Sequence, residues 1–205
     1  MKLKSKEIFK LPLKNPCVEG CTISKEIEAD ITLFSLAKGT DISAERYPHP
    51  TLYLVLENTC QIGSFYLKKG DMIQMEAYED YGVVAIEDCV YLEIRLKEKS
   101  MNLDSKQIFA LKDVLPYQEG SIVNKDIVNS DAMKFVVMAF DEGCALSEHA
   151  APGEALIFAL EGEGVIGYEG EEYPIKAGEN FKFDKNGMHS VKAVTKFKMA
   201  LLLCF

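Results

Sequence analysis

Two of the three histidines in the chain are placed where chemistry is possible. His149 lies in SEHAAPGEALIFALEGEG, residues 147–164, just before an apolar run from Ala155 to Leu160. His189 follows forty residues later, in FDKNGMHSV. Two imidazoles on strands of one small barrel can meet in its interior. There they can hold a divalent metal or hydrogen-bond a small ligand. His49 sits in a Pro-His-Pro turn and reads as a loop histidine. No nucleophile constellation accompanies them: there is no G-x-S-x-G elbow, no Gly-rich phosphate loop and no Cys-His pair close in sequence. The acidic groups Glu161/Glu163 and Glu169/Glu171/Glu172 fall in turn-like stretches and read as solvated loop charge.

The chain that must position these residues has 205 of them, 48% apolar, with no Trp and a formal net charge of -9. That length suits one large domain or two small ones. An acidic surface repels phosphate, so neither nucleic acid nor an anionic membrane is an expected partner. The lysines of MKLKSKEIFKLPLK are not followed by an apolar run of the length a signal peptide needs, and no stretch is long enough to span a bilayer. The expected location is therefore cytoplasmic, with reduced thiols. Cysteines 17, 21, 60, 89, 144 and 204 contain no C-x-x-C pair and read as small apolar fillers and loop residues.

Internal repetition sets the architecture. SKEIFKL at 5–11 returns as SKQIFAL at 105–111, and Glu19-Gly20 as Glu119-Gly120. Further on, LYLVLE at 52–57 matches LIFALE at 156–161, and LKKGDMIQM at 67–75 matches IKAGENFKF at 175–183. The offset grows from 100 to 104 to 108. The second slip fits a hairpin shortened in the first copy by two residues on each arm. Two domains follow, 1–100 and 101–205, with KEKSMNLD at 97–104 as the linker. Each half reads as many short strands, with helical turns expected only near 5–11 and 106–114. Short strands at this spacing define an all-β sandwich or barrel. LYLVL and ALIFAL are apolar on both strand faces, so the outer face must also be covered, by packing of the halves or by a homodimer.

At this point the residues carry a pattern. The second half resembles the cupin superfamily, in its small conserved-barrel branch, whose fold is a double-stranded β-helix or jelly roll. The family motifs are G-x5-H-x-H-x3-4-E-x6-G and G-x5-P-x-G-x2-H-x3-N, and their three histidines and glutamate hold a divalent metal. Gly143 is followed by five residues and then His149, and His189 stands where the last histidine belongs. The other two ligand positions fall on Ala151 and Ala155, while Asp184, Asn186 and Ala193 replace the Pro, Gly and Asn of the second motif. In the first half, Glu45, Tyr47, Thr51 and Tyr81 occupy the four ligand positions. The resemblance thus implies two tandem jelly-roll barrels: a degenerate N-terminal one without a metal site, and a C-terminal one holding the candidate site.

Two imidazoles alone hold a divalent ion weakly, since catalytic sites supply three protein ligands. The carboxylate nearest the vacated position is Glu154. Strand alternation turns it outward if Ala155 faces in, unless the preceding Pro152-Gly153 turn re-aims it. A His149, His189, Glu154 triad would suit iron, manganese, nickel or zinc. Without it, the site is a metal-free pocket of His149, Ala151, Ala155 and His189 that takes a neutral or anionic small molecule. Three functions stay open: a small-molecule-binding bicupin, a metal-dependent oxygenase or isomerase, and a structural or interaction scaffold.

Overall fold

The computed structural model describes residues 1–97 and 104–205, so the expected boundary near residue 100 lies outside the described residues. The regular structure is nearly all β, and the chain forms two compact units, each a jelly roll of two facing sheets. The first comprises Met1–Lys2 with Leu11–Ala110, and the second Leu3–Lys10 with Leu111–Phe205.

In the first unit the strands are β1 (Thr22–Glu28), β2 (Ile31–Leu36), β3 (Asp41–Arg46), β4 (Thr51–Glu57), β5 (Thr59–Ile62), β6 (Phe65–Lys68), β7 (Asp71–Met75), β8 (Asp80–Ala85), β9 (Cys89–Arg95) and β10 (Phe109–Ala110). One sheet runs β1-β2-β9-β4-β7-β10 and the other β3-β8-β5-β6. The second unit has β11 (Ile122–Asn129), β12 (Met133–Phe140), β13 (Ala145–Ala150), β14 (Glu154–Glu161), β15 (Glu163–Tyr168), β16 (Glu171–Lys176), β17 (Asn180–Phe183), β18 (Met188–Ala193) and β19 (Phe197–Cys204). Its sheets run β11-β12-β19-β14-β17 and β13-β18-β15-β16, the same order in repeat-equivalent strands.

The shortened hairpin has the expected form. β5 and β6 are four residues each, where β15 and β16 are six, and both arms lose two. Glu169 and Gly170 close the longer hairpin with positive φ at both turn residues, 50° and 80°. This left-handed pair matches the twist of the flanking strands. The first helical turn lies later than expected, at Leu11–Lys14, while the second, Leu111–Asp113, falls within the expected 106–114. The residues before them are extended instead, because they pair onto sheet edges. Phe109 and Ala110 pair with Met72 and Asp71 of β7. Phe9 exchanges backbone bonds of 3.1 and 2.7 Å with Asn180 of β17. Phe9 and Phe109 are repeat equivalents, as are Asn180 and Met72. Each arm therefore adds its residue to the strand of the other copy, which is why Leu3–Lys10 counts with the second unit. The arms also cover sheet edges that would otherwise stay open for pairing.

β4 and β14 are buried on both faces, as their unbroken apolar runs require. Leu52 and Leu54 on the outer face of β4 are buried as well. The interior of the second unit is Phe140, Ile157, Phe181, Phe183, Phe197 and their neighbours, while that of the first carries Tyr53, Tyr81 and Tyr91 among its apolar groups. No helix among the described residues is long and apolar enough to cross a membrane.

Truncating the buried Phe9 to Ala is expected to destabilise the second unit by about 3 kcal/mol, the usual cost of emptying an aromatic site. Hydrogen exchange at the β17 amides, set against those of β7, reads this out: faster exchange confined to β7 would contradict the assignment of the N-terminal arm.

Candidate functional site

β18 is the second strand of the sheet β13-β18-β15-β16, and His189 is its second residue. Cross-strand pairing places His149 of β13 directly opposite it on one side and Tyr168 of β15 on the other. A β-bulge between Leu146 and His149 sets this register. The imidazole rings of His149 and His189 stand 4.1 Å apart between centroids, and the Phe183 ring of the facing sheet lies 4.0 Å from His189 on a 31° tilt. Tyr168 stacks behind Phe183 at 5.4 Å. His189 is buried and His149 is exposed, so the pair runs from the barrel interior to its mouth.

Each imidazole is oriented by its own strand. His149 Nδ1 donates to the Ser147 carbonyl at 2.9 Å and His189 Nδ1 to the Gly187 carbonyl at 3.2 Å. A carbonyl can only accept, so Nδ1 carries the proton in both rings, and in a neutral ring Nε2 is left as the lone-pair nitrogen. Gly187 itself is held close to Tyr168: a Cβ there would lie 2.6 Å from the phenol oxygen. The same loop bonds back to the Ala151 amide and carbonyl. Burial is the largest influence on His189 and lowers its pKa; the Gly187 carbonyl opposes this and the neighbouring His149 adds to it.

Ala151 and Ala155 are buried in the apolar interior and contribute no ligand. Glu154 does not join the pair. It is the first residue of β14, so it obeys the alternation of the strand, and with Ala155 facing in it faces out. On that outer face Lys182 of β17 reaches it diagonally and forms an ion pair, and the Lys185 amide donates to its other oxygen at 3.2 Å. The Pro152-Gly153 turn does not re-aim it, and Gly153 packs against the Cys204 carbonyl so closely that a Cβ would sit 1.9 Å from that oxygen. Burial disfavours the Lys182 ammonium, but its bonds to Asp184, at 2.7 Å, and Glu154 outweigh this and raise its pKa. Asp184 is in turn held below the ordinary carboxylate value, chiefly by Lys182 and by Ser5 at 2.5 Å. Cys144 packs on the core and Met188 is 39% exposed. Among the described residues no three His, Cys, Asp or Glu side chains are grouped to hold a metal ion. The donors present therefore do not fit a resident divalent metal, which needs three protein ligands.

In the first unit the same construction recurs. Glu45 of β3 stands opposite Tyr81 of β8, with the equivalent bulge between Ile42 and Glu45. The motif positions are thus structurally equivalent, although none keeps a histidine. Phe183, Tyr168 and Gly187 escape motif reading because they act by packing. The inward alternation of FKF at 181–183 is the signal that could have found Phe183.

Two sheets per unit, tandem repetition and a histidine pair at the mouth of the second barrel define a bicupin. Residues 136–205 match the family described as Cupin domain. The chain is similar to a cupin 2 conserved barrel domain protein from Leptotrichia buccalis, with 29% identity, 99% of this chain and 98% of that one covered, and a TM-score of 0.89. At 10% identity the fold is also shared with a salicylate 1,2-dioxygenase from Pseudaminobacter salicylatoxidans, which covers 98% of this chain and 86% of that one with a TM-score of 0.70. The oxalate decarboxylase of Lactobacillus farciminis is similar at 10% identity, 98% and 87% coverage and a TM-score of 0.59. No curated protein matches the chain. Residues 136–205 thus carry the cupin domain, in which two of the four motif ligand positions are histidines, and the first unit repeats its jelly-roll strand order.

Because the folded chain holds the His189 proton more weakly than the unfolded one, the contribution of His189 is full above about pH 6.5 and falls as the unfolded chain gains the proton below it. The urea midpoint should decline from about pH 7 to about pH 5 in the wild type, and His189→Gln should flatten part of that decline; an unchanged slope would contradict it.

Proposed function

We propose that this bicupin binds a small neutral, hydroxyl-bearing molecule at the mouth of its C-terminal barrel, with His149 and His189 as the recognising groups and Ala151 and Ala155 behind them. One observation carries the reading: both Nδ1 atoms are committed to backbone carbonyls. In its neutral form His189 then offers Nε2 as an acceptor, and an acceptor in a buried apolar setting selects a ligand O–H donor. The depressed pKa of His189 supports a neutral ligand over an anionic one, because a protonated imidazole is disfavoured there. The Phe183 ring beside His189 supports a flat or apolar body on that molecule.

A metal-dependent oxygenase or isomerase is the second reading. The paired, carbonyl-oriented imidazoles favour it, since metal-bound histidines are commonly fixed this way. The diversion of Glu154 to Lys182 counts against it. The protein would act as a monomer or a homodimer with equal ease on this mechanism, since the site lies within one barrel.

A thermal-shift screen of phenols, polyols and carboxylic acids of matched size, run beside elemental analysis, tests both. Neutral hydroxyl compounds should raise the melting temperature of the wild type, and the His149→Ala, His189→Ala double variant should lose the gain. A gain that survives in the double variant would sink this site. About one equivalent of metal in the wild type and none in the double variant would transfer the function to the metalloenzyme reading.

A further inference from the structure

The N-terminal barrel has its own polar interior, and its centre is Glu93 on β9. This residue lies outside every motif position. Its repeat equivalent is Leu201, so the second barrel is apolar where the first is charged. Glu93 is 6% exposed. Tyr53 stands opposite it on β4 and its hydroxyl donates to the carboxylate at 3.4 Å. Tyr91 is on the same face of β9, two residues away, and Tyr81 comes from β8 of the facing sheet. Tyr53 packs against both, with ring centroids 6.0 Å from Tyr81 and 5.8 Å from Tyr91, and Tyr47 closes on Tyr81 at 6.1 Å. Burial, and in smaller part the negative charge of Glu93, raises the pKa of all four tyrosines.

Two features of this cluster are unexplained by folding. The hydroxyls of Tyr81 and Tyr91 are buried, in residues 4% and 0% exposed, and among the described residues neither is within hydrogen-bonding geometry of a partner. Thr51 is the polar side chain nearest in effect to the Tyr81 phenol, and its own hydroxyl donates to the His49 carbonyl at 3.4 Å, which leaves the Tyr91 hydroxyl the more isolated of the two. A buried, unpaired hydroxyl is costly and is rarely kept without a use. The second feature is charge. Arg95 approaches Glu93 only to 4.0 Å with 40% of its side chain exposed, so solvent screens it. Glu45 adds a second carboxylate, bonded by the Tyr47 hydroxyl at 2.7 Å. Burial raises the Glu93 pKa; Arg95 and Tyr53 oppose this, and the like charge of Glu45 adds to it. Exposure grades outward from Tyr91 through Tyr81 and Glu93 to the half-buried Tyr47 and the exposed Glu45.

We infer that the N-terminal barrel is a second binding site, for a small organic ammonium ion whose N–H groups meet Glu93 and the phenol oxygens of Tyr81 and Tyr91 while its carbon frame lies against the tyrosine rings. Carboxylate beside aromatic faces is the chemistry that recognises such cations. A hydrated metal ion fits poorly, because the lining is mostly ring carbon and the described residues offer no third carboxylate or imidazole. A neutral polyol would pair the phenols but leave the carboxylates uncompensated.

Calorimetry on the full chain with n-propylammonium, 1-propanol, glycerol and propionate tests the site. Binding is expected for the ammonium ion alone. Its affinity should fall at least about 30-fold in Glu93→Gln, as when a buried charge pair loses one partner. Tyr81→Phe should weaken binding while the unliganded protein becomes no less stable, since the hydroxyl removed has no partner to lose. The His149→Ala, His189→Ala double variant should bind the ammonium ion as the wild type does, which separates this site from the C-terminal one. The inference is overturned if the ammonium ion does not bind, if propanol or glycerol binds as well, or if Glu93→Gln keeps wild-type affinity.

Discussion

Both barrel interiors depend on the register of one antiparallel strand pair, β13 with β18 and its equivalent, β3 with β8. Side chains alternate across a strand, so a slip of one residue would turn His149, His189, Glu45 and Tyr81 out of their barrels together. A bulge at the same place in both copies pins that register. Once it is pinned, backbone carbonyls two residues upstream orient each imidazole, and the facing sheet supplies Phe183 as a wall. The site is therefore made mostly of backbone geometry, with two side chains added.

The two copies show how one scaffold separates two chemistries. In the C-terminal barrel the positions on β14 and β19 that face the interior are Ile157, Met199 and Leu201, and polarity is confined to the mouth. In the N-terminal barrel the same positions are Tyr53, Tyr91 and Glu93, and polarity runs to the centre. The family pattern registers only the strands that carry its ligands. By that pattern the first barrel is the emptier of the two, while its core strands hold a buried carboxylate and unpaired hydroxyls. A lost metal site and a functional interior are thus compatible.

The jelly rolls, their tandem order and the shortened hairpin were legible because they rest on local rules: strand alternation, turn residues and a repeat offset that grows in steps. The His149–His189 pair was legible because the motif spacing encodes it. Glu154 was the open point. Its fate depended on Lys182 reaching it from the next strand and on Gly153 lying against the Cys204 carbonyl, and neither contact is local in sequence. The first helical turn shifted for a similar reason, because edge pairing at Phe9 extended the residues ahead of it.

The amino-acid sequence by itself determined an all-β bicupin with one surviving histidine pair, since side-chain period, turns and repeats are properties of neighbours along the chain. Only the tertiary structure decided which arm completes which sheet, that Glu154 serves an ion pair outside the barrel, and that four tyrosines gather around Glu93. Those outcomes come from strands distant in sequence facing one another across a closed interior, where burial and pairing, rather than spacing, set what each group meets.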